Sequence, residues 1–154
     1  MNPLAHIVIE PEGITQYIGY FHPALNHFPI VLVYITFFFD LMLLATRDEK
    51  YAHFGRGMLL AAGILGIPTA ITGLFAWDLG LEANPYVPIH LTLAVITIFF
   101  IWIHFFIRYY KKEDRRLSLI YTFLILSCLN VILINITSEY GGIITWGRGI
   151  FIKA

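Results

Sequence analysis

With one cysteine, Cys128, the chain has nothing to pair in an internal disulfide. Charge is scarce as well: 13% of residues are charged, where soluble domains carry about 25%. No lysine or arginine precedes Arg47. The opening Met-Asn-Pro-Leu-Ala-His has neither a basic n-region nor an apolar h-region, so no cleaved signal peptide is expected. Ten basic and ten acidic residues cancel, which argues against nucleic acid as a partner. No nucleophile–base pair and no open metal site stands out, so a non-catalytic role is expected over bond-breaking catalysis.

What the chain has is apolar length. It is 58% hydrophobic, with mean hydropathy +0.75. Four runs approach the ~20 apolar residues that cross a bilayer: Phe28–Thr46, Gly57–Trp77, Leu91–Ile107 and Leu117–Thr137. The expected fold is an all-α integral membrane protein, a four-helix transmembrane bundle. Residues 1–20 read as an arm on the membrane surface, and 21–138 as the membrane domain with helices about 22–46, 53–77, 87–110 and 117–138. Residues 139–154 read as a glycine-rich tail.

The loops set the orientation. The first and third connections, with Arg108, hold eight of the ten basic residues, and the second holds none. Basic loops stay in the cytoplasm, so both termini should lie outside a bacterial inner membrane. Ala62, Gly66 and Ala70 form a small-residue row on helix two, suited to helix packing or to a flat cofactor. No internal repeat is evident.

The stretch Phe21-His22-Pro23-Ala24-Leu25-Asn26-His27-Phe28-Pro29-Ile30 opens the first long run. Histidine is costly in hydrocarbon and usually faces a partner, a cofactor or water. His27 lies 20 residues from Arg47, and His90 lies 18 from Arg108. That places the two within ~3 Å of one depth in the outer half of the membrane. They form the expected axial pair for a heme iron, with His22 just above and Asp78 returning to the same face. A second set lies inward. His104 follows His90 by 14 residues, ~21 Å further on and within ~40° of the same helix face. His53 is its candidate partner for an inner heme, and Asp40 is a candidate acceptor behind an inner histidine. Each has a plainer reading. His22 could cap a helix, His27 could bond a neighbouring carbonyl, and His53 and His104 could sit near lipid phosphate.

His22-Pro23, His27-Phe28-Pro29-Ile30, Asp40, Gly73, Asp78, His90 and Gly141-Gly142 together resemble the bacterial four-helix membrane proteins called domain of unknown function 2231. The resemblance covers about residues 20–150. It implies a redox setting, since some members are joined to or lie near c-type cytochromes. The expected function is a membrane electron-transfer subunit with one heme b, or two if the inner site forms. It would sit in the lipid bilayer and pass electrons between quinol and an external partner such as a c-type cytochrome. One alternative is a cofactor-free accessory subunit of a respiratory or photosynthetic complex. Another is a copper or zinc site made by His22, His27, His90 and Asp78.

Overall fold

A computed structural model describes residues 13–76, 84–111 and 116–147. Six helices run through them: α1 (Ile14–Tyr20), α2 (His22–Leu25), α3 (His27–Thr46), α4 (Glu49–Ala76), α5 (Val87–Tyr110) and α6 (Leu117–Trp146). Four stretches are long and apolar enough to cross a membrane: Ile14–Thr46, which takes in α1 to α3, and then α4, α5 and α6. The chain is the all-α membrane bundle its composition demands.

Local chemistry explains the helix ends. Pro23 and Pro29 fall in the first turns of α2 and α3, where a missing N–H costs little. Pro29 therefore marks a helix start. At the far end of α3, Arg47 turns left-handed at φ 60° and gives its N–H to the Leu43 carbonyl. Asp48 then accepts the Lys50 N–H at 3.0 Å and caps α4.

Two boundaries differ from expectation. The stretch before Phe21, expected as a surface arm, carries α1, which docks Gly19 on the Ala76 backbone at the end of α4. Helix α6 runs on to Trp146, through the glycines assigned to a tail, and closes at Gly147 with φ 67°. Glycine is a poor helix former, but Gly141 lies against the ring of His90, and that packing keeps the helix going.

The spanning helices form a ring: α3 packs on α4 and α6, and α5 packs on the same two. His22 and His90 lie at the upper end, with Ala76 and Trp146. The Arg47 turn and Tyr110 lie at the lower end. Interior positions recur by alternating threes and fours, as Pro29, Val33, Thr36, Asp40 and Leu43 do in α3. That is the spacing of a left-handed helix bundle. Val33, Leu59, Ala62, Ile101 and Ile134 make an apolar layer across the middle. Polar side chains occupy the core above and below it.

The bundle is also a repeat, contrary to expectation. A shift of 68 residues carries the buried Pro29, Val33, Thr36 and Asp40 onto Thr97, Ile101, His104 and Arg108. The same shift carries the buried Gly55, Leu59, Ala62 and Gly66 of α4 onto Phe123, Ser127, Asn130 and Ile134 of α6. All of them are interior. Identities along this shift are mostly common apolar residues, such as Ile30 with Ile98 and Phe37 with Phe105. In an apolar chain such matches do not stand out, which is why the repeat is hard to see in the sequence. The two hairpins are parallel repeats about an axis along the bundle.

Candidate functional site at the upper end of the bundle

At the upper end His22 and His90 face one cavity, with ring centroids 6.2 Å apart and planes at 82°. The cavity has a volume of about 80 Å³ and is open on one side. Its walls include Asn26, Thr97 and Thr137, with the small residues Gly66, Ala70 and Ala94 beside them. Ile98, Ile101 and Ile134 line it toward the apolar layer.

Each imidazole is fixed by one backbone carbonyl, and His22 Nδ1 also lies 3.5 Å from the Thr72 hydroxyl. His22 Nδ1–H donates to the Thr69 carbonyl on α4 at 2.9 Å, and His90 Nδ1–H donates to the Thr137 carbonyl on α6 at 2.8 Å. A carbonyl can only accept, so both Nδ1 atoms carry hydrogen. In the neutral ring this leaves Nε2 as a bare lone pair. No protein group among the described residues bonds either Nε2. A histidine that ligates a metal commonly gives its other N–H to a backbone carbonyl in this way. Gly73 and Gly141 make room for the rings. A Cβ on Gly73 would sit 2.9 Å from His22 Cε1, and one on Gly141 would sit 3.1 Å from His90 Cε1. Asn26 Oδ1, one helical turn after His22, is buried without a hydrogen-bond partner.

The lower polar cluster is closed. Asp40, wholly buried, pairs with Arg108 through one carboxylate oxygen and accepts the Ser127 hydroxyl on the other. Arg108 also donates Nε–H to His104 Nε2 at 3.2 Å and reaches the Ala52 carbonyl at 3.5 Å. Its guanidinium stacks 4.4 Å from the Phe123 ring centre. Gly55 makes room, since a Cβ there would meet the guanidinium at 2.5 Å. An arginine donor fixes His104 as neutral with hydrogen on Nδ1, facing the Asn130 amide at 3.1 Å. Turning that amide so that its oxygen accepts from Nδ1 pairs Asn130 Oδ1 and leaves the amide nitrogen as the end without a partner. Both His104 nitrogens are then engaged.

The expected site residues therefore sort differently from their depths. His22, not His27, faces His90. His27 is exposed and bonds the Pro23 carbonyl of its own chain segment at 2.6 Å, the plainer of its two readings. His53 is exposed and bonded to Arg56 at 2.8 Å, so it does not meet His104. Asp40 serves Arg108, not a histidine. Asp78 lies outside the described residues. The depth scale failed because it took Arg108 for a boundary residue, whereas it is 2% exposed inside the bundle.

A usable signal was present. His22 precedes Asp40 by 18 residues, about five whole turns, which puts both on one face. His27 precedes it by 13, which turns it to the far side by ~140°. Among the described residues no three or more His, Cys, Asp or Glu side chains gather as a metal site. Any centre here rests on the histidine pair.

No curated protein and no solved structure matches the chain. One family model, described as "Predicted membrane protein (DUF2231)", matches residues 20–154.

Proposed function

We propose, for a chain that belongs to the DUF2231 family of predicted membrane proteins, a role as a membrane electron-transfer subunit with a metal centre held between His22 and His90. The observation that carries this reading is the pair of imidazoles across one cavity, each with Nδ1 tied to a carbonyl and Nε2 free. A centre held by both Nε2 atoms would need the two rings close together across the cavity. The separation here is 6.2 Å.

Heme b iron is the first candidate. The donor set suits it, and the two glycines cradle the rings. When bound, heme b supplies a one-electron couple, and two histidine ligands suit electron transfer over oxygen chemistry. The protein's part is to hold both imidazoles neutral and oriented. The apolar layer separates them from the lower cluster, which keeps exchange at the upper end. By the charge of the loops that end faces outward, where an external carrier would dock; quinol would reach it from the bilayer. A bare copper ion on the same two nitrogens is the second reading. The cavity volume of about 80 Å³ favours it, because a porphyrin would have to extend out of the cleft.

The test is the optical spectrum of protein purified from membranes, with pyridine hemochrome and elemental analysis. Sharp Soret and α bands that shift on reduction support heme b. Copper without those bands supports the second reading. Protein free of both would leave the accessory-subunit role.

A further inference from the structure

The two halves of the upper site are copies of each other. His22 bonds the Thr69 carbonyl and packs on Gly73, four residues further along α4. His90 bonds the Thr137 carbonyl and packs on Gly141, four residues further along α6. The histidine-to-threonine separation is 47 in both cases. The same shift of 68 that relates the buried cores carries His22, Thr69 and Gly73 onto His90, Thr137 and Gly141 without one change of residue type. Both threonine hydroxyls donate to a leucine carbonyl one turn back, Leu65 and Leu133, at 2.8 Å each. Elsewhere the shift has diverged widely, as with Asp40 onto Arg108 and Gly55 onto Phe123.

We propose that His, Thr and Gly form one positioning module used twice, and that the upper site selects a centre which takes two equivalent neutral imidazoles. This rests on the reading of the pair as metal ligands. In it Gly73 and Gly141 are positioning residues. Each lets one helix pass close enough for its threonine carbonyl to hold an imidazole, and each leaves the ring edge no room to rotate. A Cβ must push the ring away, because it meets the Cε1–Nδ1 edge, the same edge that the carbonyl holds. Gly57 and Gly142 have no such role, since a Cβ on either meets nothing within 4 Å.

The experiment compares Gly73→Ala and Gly141→Ala with Gly57→Ala and Gly142→Ala in the full chain. It reads bound centre per protein and the nitrogen spectrum of histidine labelled with ¹⁵N. Each of the first two variants should lose at least half of the bound centre, by a similar factor. Gly73→Ala should move the His22 signals alone, and Gly141→Ala the His90 signals alone. The control variants should match the parent. The unaltered protein should show both rings with hydrogen on Nδ1, a readout that needs neither variant to fold nor any metal to be present. Retention of full centre by Gly73→Ala or Gly141→Ala would overturn the proposal, as would either ring carrying its hydrogen on Nε2. If the parent holds no metal but both tautomers are as stated, the module stands and only the metal reading fails.

Discussion

The two polar ends of this core are built on the same helices yet end in opposite states. At the upper end two identical side chains each spend one nitrogen on the backbone and keep one free. At the lower end Asp40, Arg108, His104, Asn130 and Ser127 are all different, and they bond to one another. The repeat sharpens the contrast. Positions related by one shift stayed alike above, as His22 and His90 did, and became complementary charges below, as Asp40 and Arg108 did. The lower network spends both of its charges and both His104 nitrogens on itself, with only one end of the Asn130 amide left over, so it reads as a lock. An unsaturated network in an apolar bundle needs a ligand, a metal or water to complete it.

The largest effect should come from breaking the lock. Arg108→Ala leaves the Asp40 carboxylate buried and unpaired, and loss of about 3–5 kcal/mol is expected. It would appear as a steep drop in yield and in the detergent melting temperature. Asp40→Asn should be costly too, because Arg108 then keeps its charge with no counter-ion. The double exchange Asp40→Arg with Arg108→Asp should recover part of the loss, since it restores opposite charges at the two paired positions. A double variant no better than either single one would show that the pair is not interchangeable.

Next in size is the layer between the two ends. Ile101 is 1% exposed and packs against Val33, Leu59, Ala62 and Ile134. Ile101→Ala should cost about 2–5 kcal/mol by leaving a void. Denaturant titration in mixed micelles would measure it, and a loss below ~1 kcal/mol would mean that the layer collapses to fill the gap.

Removing an upper histidine should cost the fold far less. His22→Ala deletes one hydrogen bond, worth about 0.5–1.5 kcal/mol, and should leave gel filtration unchanged while emptying the site.

At the small end stands the surface pair Lys50 and Asp48, 2.7 Å apart and solvent-exposed. Lys50 holds the Asp48 carboxyl below its ordinary value through a side-chain hydrogen bond. The folded form therefore gains slightly above the ordinary carboxylate range and loses that gain as acid protonates Asp48. Lys50→Ala should leave the melting temperature nearly unchanged at neutral pH. A large shift would mean that the α3–α4 turn carries more of the fold than its exposure indicates.

Much of the architecture was legible in the residues. Long apolar runs with few charges dictate spanning helices, and Pro23 and Pro29 are explained by helix starts. Gly141 and Gly142 misled, because local preference argued for a tail while packing against His90 holds a helix. Arg108 misled more seriously: at the end of an apolar run it looks like a boundary charge, and only a partner on another helix, Asp40, permits it to be buried. Without Arg108 the first and third connections still hold seven of the ten basic residues, and the second holds none. The choice of His22 over His27 was available from helical phase, which depth alone ignores.

The most direct test measures bound centre per protein, heme and metal together, in five alanine variants of equal folding quality: His22, His27, His53, His90 and His104. The account predicts loss in His22→Ala and His90→Ala alone. His27→Ala and His53→Ala should keep the full centre, and His104→Ala should keep it in whatever fraction folds. Full occupancy in both His22→Ala and His90→Ala, or loss in His27→Ala with His22→Ala intact, would contradict it.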